Sequence, residues 1–192
     1  ASHISIISSM ATRQLLAELV AQFQQTSTQQ VSIESVGGVD AARRVQSGEA
    51  FDVVVLAANA IEQLTQAGRI VPGSRVDLVN SGVSIAVRAG AARPDIASEE
   101  AVRAAVLAAR SLGYSTGPSG LHLATLFERW GIADTIKSRI VQAPPGVPVG
   151  SLVAKGEVEL GFQQLSELIH QDGIDVLGPL PAAIQIVTTF SA

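Results

Sequence analysis

Three places in this sequence put small hydroxyl or glycine residues where a helical pattern begins. They are Ser8 and Ser9, Gly37 and Gly38, and the run Ser115, Thr116, Gly117, Pro118, Ser119, Gly120. The first N–H groups of a helix lack an intrahelical acceptor and together carry about half a positive charge, so small residues there let an anion reach backbone donors without any lysine or arginine. In open α/β sheets such positions lie beyond the carboxyl ends of the strands. Serine, threonine and glycine are also ordinary helix caps and turn formers, and a single junction of this kind carries little weight. Their recurrence in both halves of the chain points to a bound anion.

Other candidate chemistry is thinner. His122 falls in the first turn of the helical pattern after Ser119, where it would act as a base or sit as a partly exposed helix histidine, the second reading being the simpler. Glu34, Asp40 and His122 are the acid/base candidates near the junctions, and no motif supports any of them. His3 and His170 find no third ligand at useful spacing, so no metal site is expected. The segment around Ser119 departs from a nucleophile elbow, because the serine is one position too close to the second glycine. Arg43 and Arg44 read as a solvated helix face, and Trp130 as core packing.

The elements that must position these residues alternate. Short β-branched runs at residues 4–7, 31–33, 51–56, 82–87, 112–115, 140–142, 160–163 and 184–188 are separated by helical patterns. This alternation argues for an α/β fold with parallel sheet and crossover helices. Leu15, Leu16, Leu19, Val20 and Phe23 recur at helical spacing after the first run, and Ser98 followed by Glu99 and Glu100 reads as a capped helix start. Gly90 and Pro94 punctuate the middle of the chain. The expected organisation is a first lobe from residues 1–80 plus 185–192 and a second lobe from 81–184, with hinge strands near residues 82–88 and 185–189.

Composition narrows the partners. The chain has 192 residues, 47% of them hydrophobic, and a formal net charge of −4, which leaves no basic face broad enough for nucleic acid or an anionic membrane. There is no cysteine, hence no disulfide framework, and the longest apolar run, residues 53–58, is too short to span a bilayer. No charged n-region and apolar h-region precede residue 4, so the expectation is either a mature exported form, periplasmic or otherwise extracytoplasmic, or a cytoplasmic protein.

The residues also resemble a known family. The opening ISIISS at residues 4–9, the stretch GGVDAARRVQSGEAFDV at 37–53, the helix start at Pro118, Ser119 and Gly120, and VAKGE at 153–157 leading into LGFQQ at 160–164 are together similar to the molybdate-binding proteins of ABC transporters. The resemblance runs in order over nearly the whole chain. It implies a type II periplasmic-binding fold, two α/β lobes with a ligand cleft between them, no cofactor, and an ABC-transporter membrane subunit as partner. The family's two helix-start positions fall on Ser9 and Ser119. Its second serine falls at Gly38 or Val39, and its tyrosine after the last second-lobe strand at Gln164, so two molybdate donors are absent. The ligand-binding set expected on this basis is Ser8, Ser9, Gly38, Val39, Ala58, Thr116, Ser119, Gly120, Val147, Gln163 and Gln164. The segment GFQQLSEL at residues 161–168 is closer to a subgroup that includes carboxylate binders and aconitate-isomerase-like proteins. That favours a small organic carboxylate over molybdate, and leaves two function classes: a binding protein for a small anion, or an isomerase of a small polycarboxylate using the same residues. An intracellular sensor domain is a third. The family's chain usually continues with helices that pack on the first lobe, so the first lobe is expected to show an exposed apolar face, covered by a partner chain.

Overall fold

Residues 4, 6 and 7 are isoleucines, and the segment that carries them is extended over its whole length as β1 (His3–Ser9). The computed structural model describes residues 2–192. After β1 come a single 3-10 turn (Met10–Thr12), α1 (Arg13–Thr26), β2 (Gln30–Val36), α2 (Gly38–Gln46), β3 (Val53–Ala57) and α3 (Ala58–Gln66). β1 pairs in parallel with β2 on one side and β3 on the other, the arrangement that strand–helix–strand units produce. Ile7, Leu56, Ala41, Val45, Ile61 and Leu64 close the core beneath α2 and α3. α1 buries Leu16 but leaves Leu19 and Phe23 on the surface.

The long β4 (Asp77–Arg88) carries the chain out of this first unit, whose other part is Thr188–Ala192, and into a second compact unit, Ser81–Val187. There follow α4 (Glu99–Ala108), β5 (Leu112–Ser115), α5 (Pro118–Arg129), α6 (Ala133–Ile136), β6 (Ile140–Ala143), α7 (Val149–Ala154), β7 (Leu160–Gln164), α8 (Leu165–Leu168) and β8 (Ile174–Pro179). The chain then returns to the first unit as β9 (Val187–Ser191), antiparallel to β3. In the second unit β5 is parallel to β6 and β7, while β7 and β8 run antiparallel to β4. Phe127 centres this core, its ring 6.2 Å from Tyr114, 6.0 Å from Trp130 and 6.4 Å from Phe162. Trp130 packs as expected, and its Nε1–H donates to Glu99 Oε1 at 2.8 Å. Ser98 caps α4, its hydroxyl accepting from Ala101 N–H at 3.1 Å.

Three expectations need correction. The sheet is mixed, not wholly parallel, because β4, β8 and β9 run against their neighbours. β8 was not foreseen; its sequence IDVLGP carries an acid at its second position and ends in Gly-Pro, and its pairing with β4 slips register at Ile85/Ala86. The last strand begins at Val187 rather than residue 184, because Ile184 closes a turn onto Pro181. Gln185 lies outside the strand, and its side chain takes the place of a strand partner. Its Oε1 accepts from Val83 N–H at 2.9 Å and its Nε2 donates to Val83 C=O at 2.9 Å. Gly82 makes room for it, since a Cβ there would meet Gln185 Nε2 at 2.9 Å. Gln185→Ala is therefore expected to cost about 1–3 kcal/mol, the penalty of leaving buried backbone groups unpaired, read as a lower urea midpoint with an unchanged slope.

Candidate functional site

In the first unit three parallel strands end side by side, and each runs directly into a helical turn. The register sets Ser8 beside Ser35 and Val55, and Ser9 beside Val36. Ser9 precedes the 3-10 turn, Gly37 precedes α2 and Ala57 precedes α3, and at none of the three does a side chain cap the first turn. Ser9 therefore differs from Ser98, which does cap its helix. Its Oγ is buried and has no hydrogen-bond partner among the described residues. Gly38 lies against it, a Cβ built there coming 3.6 Å from Ser9 Cβ. A buried hydroxyl with nothing to bond is costly, and that cost is met where a ligand supplies the partner. Ser8 is otherwise engaged: its hydroxyl donates to Ser9 C=O at 3.0 Å and lies 2.7 Å from Ser35 Oγ. Ala58 opens α3 at the same edge of the sheet, and Val39, in the first turn of α2, is 60% exposed.

The second unit repeats the device. β5, β6 and β7 run parallel, so Ser115, Ala143 and Gln164 end on one edge. The caps of α5, α7 and α8 (Gly117, Pro148 and Gln164) likewise make no side-chain cap bond. Ser119, in the first turn of α5, is buried, its Oγ 3.5 Å from Ser115 Oγ, which also accepts from Gly117 N–H at 3.3 Å. Thr116 is half-buried in the same turn. Gly120 packs so tightly that a Cβ would fall 1.8 Å from Ser115 C=O. Val147 packs on the small core beneath α7. Gln163 is buried and turned inward: its Oε1 accepts from Val149 N–H at 3.0 Å, holding the start of α7. Gln164 is buried opposite Val83.

The acid/base candidates are occupied elsewhere. His122 Nε2 lies 2.9 Å from Ile184 C=O and so acts as a donor to backbone. Glu34 shares Arg44 with Glu49 on the surface, and the guanidinium holds both carboxyls below their ordinary range. Asp40 pairs with Arg43. The carboxylate that stands out is one the sequence reading passed over. Glu167, in the short α8, is half-buried with no ion pair among the described residues, and loss of water around it pushes its carboxyl up to about 7. The available signal was its company, an acid between Leu165 and Leu168. Among the described residues no group of three His, Cys, Asp or Glu is placed to hold a metal ion, and no helix is long and apolar enough to cross a membrane.

Residues 4–192 match the family of bacterial extracellular solute-binding proteins. The chain belongs to that family. This solute-binding protein is 40% identical over 151 residues, 77% of its length, to an aconitate isomerase from Pseudomonas sp., and spans 56% of that relative's length. Its fold is that of the type II periplasmic binding proteins. The periplasmic molybdate-binding protein of Azotobacter vinelandii superposes with a TM-score of 0.76 at 22% identity, covering 98% of this chain and 83% of its own. The tungstate ABC transporter protein of Geobacter sulfurreducens gives 0.71 at 15% identity, covering 97% and 84%. The resemblance to molybdate-binding proteins read in the sequence thus stands, as does its link to aconitate-isomerase-like chains.

Proposed function

We propose that this solute-binding protein captures a small organic anion of the polycarboxylate class, each unit offering its own candidate donors: the Ser9 and Gly38 region in the first and the Ser115–Ser119 region in the second. The observation that carries the reading is the buried, unpartnered Ser9 hydroxyl beside uncapped helix starts. Neutral donors suit an ion that stays deprotonated at working pH, and replace its lost hydration through N–H and O–H bonds. Molybdate and tungstate, named for the structural neighbours, share that requirement. The absence of a serine at Gly38 and of a tyrosine at Gln164 removes side-chain donors for a tetrahedral ion and favours a larger, flatter ligand. Delivery to an ABC-transporter membrane subunit outside the cytoplasm fits the family.

A second reading is favoured by the relative that is 40% identical: the same residues hold a polycarboxylate such as aconitate while a proton is shifted on it. Calorimetry against aconitate, citrate, molybdate, tungstate and sulfate tests the ligand class. Binding of a polycarboxylate supports the proposal, and tight binding of molybdate alone overturns it. Ser9→Ala and Ser119→Ala are each expected to weaken binding by about 1–2 kcal/mol, through one lost hydrogen bond to a charged ligand. An unchanged affinity in either variant removes that residue from the site.

A further inference from the structure

The carboxyl end of β7 carries two polar side chains that the second unit does not use. Ser166 Oγ is buried with no hydrogen-bond partner among the described residues. Glu167 is next to it, three positions beyond Gln164, and none of the ion pairs among the described residues includes it. The elements packed most closely against α8 are β7 and α7, whose sequences LGFQQ and VGSLVA contain no ionisable group. The charged or titratable groups nearest along the chain, His170 and Asp172, are exposed and lie beyond α8. A half-buried carboxyl with no cation to balance it carries a partial desolvation cost, and such groups concentrate where proton transfer is needed. Its strand, β7, ends beside β5, which leads into the Ser115–Ser119 turn, so α8 starts on the edge of the sheet that carries the second unit's anion donors.

We propose that Glu167 is the proton-transferring group of a polycarboxylate isomerisation, a role that rests on the second reading above. Its carboxylate takes a proton from the methylene carbon next to the substrate's carbon–carbon double bond, and the C–H electron pair becomes a new double bond. The electron pair of the old double bond then accepts that proton at its far carbon, which restores the carboxylate. Nothing is oxidised or reduced, and the new double bond can form with either geometry. The N–H and hydroxyl donors stabilise the charge that spreads onto the substrate carboxylates in between. A carboxyl that titrates near neutrality suits both halves of the exchange, since it accepts and returns the proton at comparable cost.

The test is proton NMR of cis-aconitate in deuterated buffer with the purified protein, alongside calorimetry with trans-aconitate. The wild type is expected to interconvert the isomers and to wash deuterium into the methylene. Glu167→Gln should lower both rates by about 10²–10⁴-fold, with affinity for trans-aconitate changed by less than about threefold. Glu167→Asp should recover part of the rate. The near-neutral limb of the wild-type pH–rate profile should vanish in the Gln variant. A Gln variant that exchanges at the wild-type rate, or that loses rate only in step with affinity, overturns the role of Glu167 and leaves the isomerase reading intact. A wild type that binds aconitate without exchange or turnover overturns the isomerase reading, and the role of Glu167 with it.

Discussion

Gly120→Ala is expected to destabilise the protein by about 4 kcal/mol or more, a large share of a typical domain's stability, and to abolish anion binding with it. Alanine at a helix position is ordinarily better than glycine by about 1 kcal/mol, so propensity predicts the opposite sign. Packing decides. The added Cβ would sit 1.8 Å from Ser115 O and 2.9 Å from Ser115 C, backbone atoms that cannot swing aside, and 3.1 Å from the Tyr114 ring. Relief requires the first turn of α5 to lift away from the end of β5, which moves Ser119 off Ser115. Gly117→Ala is the control: its Cβ would meet only Ser115 Oγ, at 3.5 Å, an ordinary contact. Thermal and urea unfolding of the two variants should separate them clearly, and equal midpoints would show that α5 can shift without penalty.

The second large effect is on stability against pH. Glu167 has an ordinary carboxyl value near 4.5 when unfolded and one raised to about 7 by burial in the folded chain. Between those values the folded state holds the proton and the unfolded state does not, so stability falls as pH rises through this window. The stabilising contribution is fully present below about pH 4.5 and is lost above about pH 7, with a magnitude of about 3 kcal/mol. Glu34, Glu49, Asp52 and Asp77 act with the opposite sign, since Arg44 holds the first two down, Ser5 the third, and Ser191 with Arg75 the fourth. Their contributions are lost only as pH falls below the usual carboxylate range, so the two windows do not overlap. Glu167→Gln should flatten the dependence between pH 5 and 8 and raise stability at pH 8. Denaturant titrations at stepped pH measure it, and an unchanged slope in the variant would assign the dependence to another group.

What the sequence discloses depends on whether a residue's partner is local. β1, β5, β7 and the helices after the first and fifth strands were legible because β-branched runs and helical spacing are short-range signals, and Ser98 caps α4 as its neighbours indicated. β8 was missed, and the start of β9 misplaced by three residues, because both are set by distant partners: β4 for the one, and Val83 held by Gln185 for the other. The same distinction governs the site. Ser9 and Ser119 were legible as small residues at helix starts. That Gln163 would turn inward to hold Val149, or that His122 would bond Ile184, depends on contacts 14 and 62 positions away. Glu167 gave only a weak local signal, its place between Leu165 and Leu168, because what sets it apart is a cation it lacks among the described residues.

The return of β9 to the first unit also fixes an order of events during synthesis. β3 can acquire its antiparallel neighbour only from residues after Val187, so every residue of the second unit leaves the ribosome before the first unit's sheet can close. The second unit, continuous in sequence, has all its own strands available earlier and can reach its native pairing while the first still waits with an open edge on β3. A nascent chain arrested just short of residue 188 would thus carry one finished unit and one unfinished one, and the unfinished edge is where a chaperone or a second nascent chain would find strand to pair with.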